Sequence, residues 1–116
     1  MNQIYFLPLF IRKIKQAKKK HIYIKDDILS SLQEFLDNSD KEKYLAEFGL
    51  YKIRIPIKQA NIGKSGGYRV LVLFNKKDVY FPVSLYFKGD QGSLEKQEIK
   101  RDIIQAYLEI QEWKSH

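Results

Sequence analysis

Eight consecutive residues, Ile62-Gly63-Lys64-Ser65-Gly66-Gly67-Tyr68-Arg69, place two glycines between two cations and lead straight into the apolar run Val70-Leu71-Val72-Leu73-Phe74. A glycine carries no Cβ, so Gly66 and Gly67 allow a tight bend and a close approach to another molecule. Lys64 and Arg69 flank that bend with positive charge. A turn of this make-up is suited to meeting a phosphate.

Other chemistries fit less well. Gly63-Lys64-Ser65 resembles the end of a nucleotide-binding P-loop, but Lys58 stands where that motif needs its first glycine, and the residues that follow read as a strand and not a helix. The two histidines, His21 and His116, have no carboxylates at metal-ligand spacing. A Ser-His-Asp arrangement would have to use His21, which reads as a connector residue far from any suitable serine turn. There is no cysteine, so neither a disulfide framework nor a thiolate metal site is available.

The charge distribution points the same way as the turn. The chain has 116 residues and a formal charge of +7. Residues 51–90 contain eight lysines and arginines (Lys52, Arg54, Lys58, Lys64, Arg69, Lys76, Lys77, Lys88) against only Asp78 and Asp90. Such a concentrated patch predicts a polyanionic partner, nucleic acid first and an acidic protein second. With 44% apolar residues and a length suited to a single core, the composition is that of one globular domain spanning residues 1–116. No apolar run is long enough to cross a membrane. The apolar stretch Ile4–Ile11 is followed, not preceded, by Arg12, Lys13 and Lys15, an order that does not suit a secretory signal. The cytoplasm is the expected location.

Periodicity supplies the elements that must carry these residues. Residues 3–7 read as a short strand. Pro8 then opens a helix, with Phe10, Ile11, Ile14 and Ala17 on one side and a row of lysines on the other. Asp26 or Asp27 is the expected N-cap of a second helix, whose stripe is Ile28, Leu29, Leu32, Phe35 and Leu36. Tyr44, Leu45 and Phe48 suggest one more helical turn, ended by Gly49. Three segments with a period of two follow. In residues 51–57 the odd positions are apolar, and Pro56 marks an edge or the end of pairing. Residues 68–75 form the next strand, and a tight turn at residues 75–78 leads into residues 79–88, where Val79, Phe81, Val83, Leu85 and Phe87 are expected to share one face. Gly89–Gly92 closes the sheet. A last helix is expected from about Glu95, with Leu94 and Ile99 as a hydrophobic staple and Ile99, Ile103, Ala106, Tyr107 and Ile110 facing inward. Trp113 would either close the core or lie frayed at the end. The predicted class is α+β, a small antiparallel-rich sheet with helices packed on one face, in the order β-α-α-β-β-β-α. With aligned registers, Lys52, Arg54, Arg69, Tyr86 and Lys88 fall on the polar face of the meander.

Tyr51-Lys52-Ile53-Arg54, Gly63-Lys64-Ser65-Gly66-Gly67-Tyr68-Arg69-Val70 and Tyr86-Phe87-Lys88-Gly89-Asp90, followed by a charged helix opened by Leu94, resemble the RelE/HigB family of type II toxin–antitoxin toxins. The likeness extends over nearly the whole chain. It implies a RelE-like fold and a small endoribonuclease that cuts messenger RNA on the ribosome, inhibits translation and is neutralised by a cognate helix-turn-helix antitoxin. By position it assigns catalytic roles to Lys52, Arg54, Arg69, Lys88 and Tyr86. Lys64, with Lys58, Lys76 and Lys77, would steer RNA or the ribosome. Glu95 departs from the Ser or Thr common at the cap of the last helix, and the tyrosine that some relatives place near the C-terminus as acid or base has no clear counterpart, although Tyr107 is a candidate.

The implied reaction is consistent with the residues at hand. Attack by the RNA's own 2′-hydroxyl needs no serine, cysteine, metal or other cofactor. It needs in-line orientation, one proton acceptor, one proton donor and stabilisation of a dianionic phosphorane. Arg54 and Arg69 could hold the phosphate oxygens in bidentate fashion. Lys52 or Lys88, crowded by other cations, could exchange a proton, and Tyr86 could stack on a base or act as a weak acid. The competing readings are a non-catalytic nucleic-acid-binding module, a ParE-like gyrase-inhibiting toxin of the same fold, and a domain whose basic face docks an acidic protein.

Overall fold

The computed structural model describes residues 3–75, 77–88 and 96–114. Strand β1 (Gln3–Ile4) leads into helices α1 (Pro8–Lys18) and α2 (Ile24–Asp37), then β2 (Tyr51–Ile55), β3 (Tyr68–Asn75), β4 (Val79–Phe87) and α3 (Lys96–Lys114). Short 3-10 turns cover Glu42–Tyr44, Glu47–Gly49 and Lys58–Ala60. The four strands form one sheet in the order β1-β4-β3-β2, antiparallel except for the parallel β1–β4 pair. This is the α+β class and element order expected from periodicity.

Several boundaries differ from expectation for identifiable reasons. The first strand stops at Ile4, because Leu7 already occupies the N-cap position of α1, with Pro8 beginning the helix as anticipated. Helix α2 begins at Ile24, so Asp26 and Asp27 lie inside its first turn and not at its cap. Carboxylates are favoured there by the helix dipole, and the buried Asp27 also accepts the backbone N–H of Lys58 at 3.3 Å. Pro56 ends the pairing of β2, after which Ile57 and Ile62 exchange backbone hydrogen bonds at 2.8 and 3.0 Å and start the reversal toward β3. The expected residues Lys76, Gly89–Gly92, Leu94, Glu95 and His116 lie outside the described residues, so the staple at the start of α3 does too.

The main correction concerns β4. Strict alternation would put Val79, Phe81, Val83, Leu85 and Phe87 on one face, but the β3–β4 register slips between Leu71 and Val72: Leu71 opposes Ser84 while Val72 opposes Pro82. Val83 is the extra residue of a β-bulge. A bulge tolerates the proline beside it, which has no N–H to give to the ladder. Because the bulge shifts the phase by one, Val79, Phe81 and Val83 join a cluster with Leu71, Ile99, Ala106 and Ile110. Leu85 and Phe87 pack instead with Phe10, Ile14, Ile28, Phe35, Ile53, Ile55, Val70 and Val72. The core therefore has two parts on opposite sides of β3 and β4, with α1 and α2 serving the second cluster and α3 the first. This refines the expected one-sided arrangement.

Two acidic residues fasten α3. Glu109 accepts the N–H of Leu9 at 2.8 Å, and Asp102 accepts the hydroxyl of the fully buried Ser84 at 2.6 Å while pairing with Lys13 at 3.1 Å. Trp113 is half-buried and its ring meets Tyr5 and Phe81 at 5.1 and 5.5 Å, so it closes the edge of the core.

Candidate functional site

Three strands carry the central row of the site. In the ladder Arg54 of β2 opposes Arg69 of β3, which in turn opposes Tyr86 of β4, and one step inward Lys52 opposes Leu71, which opposes Ser84. The side chains of this parity point away from the α1–α2 cluster. Lys52, Arg54, Arg69 and Tyr86 are thus brought onto one face, as the period-two reading required. Because the bulge falls between this row and the hairpin, it leaves Tyr86 beside Arg69.

Their exposures differ sharply. Arg54 is exposed and Lys52 half-buried, whereas Arg69 and Tyr86 retain only 5% and 6% of their surface. Arg69 is directed back into its own turn: Nη1 donates to the carbonyls of Lys64 (2.8 Å) and Tyr68 (3.2 Å), and Nη2 donates to that of Ser65 (3.1 Å). Burial, and then the charge of Arg54, lower its pKa, yet a guanidinium stays protonated in a protein. For Tyr86, burial is the largest influence and raises the hydroxyl above its ordinary 10.0; Arg69 opposes the shift and Glu47 adds to it.

The double glycine has a role different from the one its sequence suggested. A Cβ at Gly67 would lie 1.9 Å from the carbonyl oxygen of Ile55, so the close approach that glycine permits there is to the protein's own β2 strand. Gly63 has open space around it. The turn is held by internal contacts on both sides: Gly67 against Ile55, and Arg69 against the Lys64 and Ser65 carbonyls.

Two carboxylates border the cations, and sequence reading assigned neither to the site. Glu47 lies 3.9 Å from Lys52 Nζ, and Glu34 of α2 lies 3.4 Å from Lys64 Nζ. Glu47 reaches Lys52 through a reversal in which Phe48 and Gly49 both have positive φ, 60° and 68°. Gly49 was the one signal for that reversal. Together with Arg54, Lys43 and Tyr44, these residues line a groove of about 680 Å³ between α2, residues 43–47 and the outer edge of β2.

The remaining expected residues are dispersed. Lys88 follows β4, is exposed, and its N–H binds the Gly67 carbonyl at 2.9 Å, which keeps it near the turn. Lys58 sits on the 3-10 turn facing α2. Lys77 is in the hairpin at the far end of β3, roughly 20 Å from Arg69 at strand spacing, so it does not share the Arg54–Arg69 site. Lys76 lies outside the described residues. Tyr107 is exposed on α3 rather than directed inward, in contrast to the expected stripe. His21 is more than a connector: its Nδ1 is 2.9 Å from the Tyr68 hydroxyl, and its ring lies against Tyr68 and Phe87. No local signal announces a contact between residues 47 positions apart. Among the described residues, no group of three or more His, Cys, Asp or Glu side chains could hold a metal ion, and no helix is long and apolar enough to cross a membrane.

The site thus belongs to a small α+β domain with arginines in register on adjacent strands. Residues 9–113 match the family described as the RelE toxin of the RelE / RelB toxin-antitoxin system, and the chain belongs to that family. Membership makes it a toxin of a toxin–antitoxin system, with an antitoxin as its partner. No curated protein and no solved structure is significantly similar to it.

Proposed function

We propose that this chain is a ribosome-dependent mRNA endoribonuclease of the RelE/HigB type, acting in the cytoplasm and silenced by a helix-turn-helix antitoxin. The observation that carries this reading is the register Arg54–Arg69–Tyr86, which sets two guanidinium groups and a phenol in one row beside Lys52. The 2′-hydroxyl attacks the adjacent phosphorus and the bond to the 5′-oxygen breaks, giving a 2′,3′-cyclic phosphate and a 5′-hydroxyl. Arg54, the exposed arginine, holds the non-bridging oxygens. Arg69 adds fixed positive charge from beneath and keeps the turn rigid, so little reorganisation is needed as the phosphorane forms. The proton of the 2′-hydroxyl passes to the Glu47 carboxylate, which lies 3.9 Å from Lys52 Nζ, and the Lys52 ammonium adds positive charge beside the phosphate. Tyr86, kept protonated by burial, gives its proton to the departing oxygen. Lys88, near the turn, and Lys64 and Lys58 guide the RNA backbone.

The test is cleavage of mRNA in a translating extract, with the 5′ ends of the products mapped. Cleavage lost in Arg54→Ala, with the fold intact, supports the assignment. A pure protein that neither cuts mRNA on ribosomes nor slows translation overturns it. A second reading, RNA binding without cleavage, draws on the burial of Arg69 and Tyr86. It predicts salt-sensitive binding to RNA that stays intact.

A further inference from the structure

A second groove, of about 590 Å³, runs between the C-terminal end of α1 and β4. Lys13, Lys19 and Lys20 line it from the helix, and Tyr68, Tyr86 and Phe87 from the sheet. None of its described lining residues is acidic, whereas Glu34 and Glu47 line the groove at β2. We infer that the α1–β4 groove is a subsite for single-stranded RNA, taking a nucleotide that flanks the bond held at Arg54; this rests on the RNA-cleavage reading above.

Five features support it. Tyr86 belongs both to this groove and to the row containing Arg54 and Arg69, so the groove borders that row at β4. Lysines on the helix face aromatic residues on the sheet, the combination that binds single strands, and Phe87 is the ring of the three that is not buried. Lys20 Nζ already lies 4.5 Å from the centre of the Phe87 ring, so a cation and an aromatic face are in place together. Two of the carbonyls at the end of α1, which would repel a phosphate, are occupied: Gln16 and Ala17 accept the N–H groups of Lys19, Lys20 and His21. The volume falls within the roughly 300–1,000 Å³ of sites that take a small organic ligand, enough for one nucleotide. Lys13 is engaged by Asp102, so phosphate contact is assigned to Lys19 and to Lys20, which would reach a phosphate from its place over the Phe87 ring.

The experiment uses the full chain, a single-stranded RNA hexamer and a blunt RNA duplex of the same length, followed by fluorescence anisotropy and amide chemical shifts. Lys19→Gln/Lys20→Gln is compared with Lys15→Gln/Lys18→Gln, which removes the same charge from exposed positions of α1 outside the groove. The first pair is expected to weaken hexamer binding about fivefold or more, and to flatten the log–log salt slope by about 1.4, the value for two lost phosphate contacts on a single strand. The second pair should do neither. Shifts should concentrate at residues 19–21 and 85–87. Equal losses in the two variants, equal affinity for the duplex, or shifts confined to residues 52–54 overturn the groove assignment while leaving ribosomal cleavage intact. A wild-type chain that binds neither RNA and cuts no mRNA on ribosomes overturns both proposals.

Discussion

Arg69 donates to the main-chain carbonyl of Lys64 at 2.8 Å, so the arginine that ends the double-glycine turn also holds that turn in place. Its second nitrogen reaches the Ser65 carbonyl at 3.1 Å. A residue that reads in sequence as a phosphate ligand is, in the fold, a tie between the turn and β3. Its charge is retained, but its donors are largely committed.

Arg54 and Arg69 should therefore separate when mutated. Arg69→Ala is expected to lower stability by about 2 kcal/mol, within the range for losing charge-assisted hydrogen bonds and exposing their carbonyl partners, and to abolish mRNA cleavage. Arg54→Ala, at an exposed position, should abolish cleavage with a melting temperature close to wild type. Thermal unfolding together with cleavage in a translating extract checks both. Loss of stability in Arg54→Ala of the same size as in Arg69→Ala would contradict this division of roles.

Gly67 and Gly63 are expected to differ in the same way. A methyl group on Gly67 must displace the Ile55 carbonyl, only 1.9 Å from the new carbon, and Gly63 has nothing within 4 Å. Overpacking of this kind costs about 1–3 kcal/mol. Gly67→Ala should unfold at lower denaturant and Gly63→Ala should behave as wild type, as measured by equilibrium urea unfolding.

Glu109 caps α1 from the other end of the chain, since Leu7 at the N-cap position offers no side-chain acceptor. Removing it leaves the Leu9 N–H without its partner. Glu109→Ala should lose about 1 kcal/mol, the usual cost of a lost cap, and amide exchange at the first turn of α1 should quicken. Glu109→Gln retains an acceptor oxygen and should lose less.

The buried tyrosines set a limit at high pH. Burial is the leading cause that raises both Tyr80 and Tyr86 above 10.0; Tyr51 and Asp78 add to the first, and Glu47 to the second. In the unfolded chain these phenols lose their protons first. Their contribution to stability is thus complete below the ordinary phenol value and declines as pH rises through it. The melting temperature should fall above about pH 10, and Tyr80→Phe/Tyr86→Phe should fall less steeply over the same interval.

Glu34 and Glu47 pair with Lys64 and Lys52, so under the proposed function they would compete with RNA for these cations. Glu34→Gln should tighten RNA binding by a few fold and leave product chemistry unchanged, because exposed pairs contribute about 1 kcal/mol or less. Glu47→Gln should also tighten binding, yet slow cleavage if its carboxylate is the proton acceptor. Anisotropy and single-turnover cleavage on ribosomes distinguish the two effects.

Much of this molecule could be read along the chain. The stripe from Ile28 to Leu36, the period of two around Tyr51–Ile55 and Tyr68–Asn75, and Pro8 at the start of α1 are local signals, since periodicity and ring geometry act within a few residues. They were sufficient for the α+β class, the element order and the shared face of Lys52, Arg54, Arg69 and Tyr86. The basic charge of residues 51–90 was likewise a property of the sequence alone.

What only the tertiary structure decided depends on contacts between distant residues. The slip at Val83 reversed the faces of Leu85 and Phe87, because register is a relation between two strands. The turn at residues 62–69 closed on its own backbone, with Gly67 against Ile55 and Arg69 against the carbonyls of Lys64 and Ser65. Glu34, Glu47 and His21 acquired partners that no spacing announced. Residue types determined which charges the site has; the packing of α2, the Glu47–Gly49 turn and the three central strands determined which of those charges remain open to a phosphate.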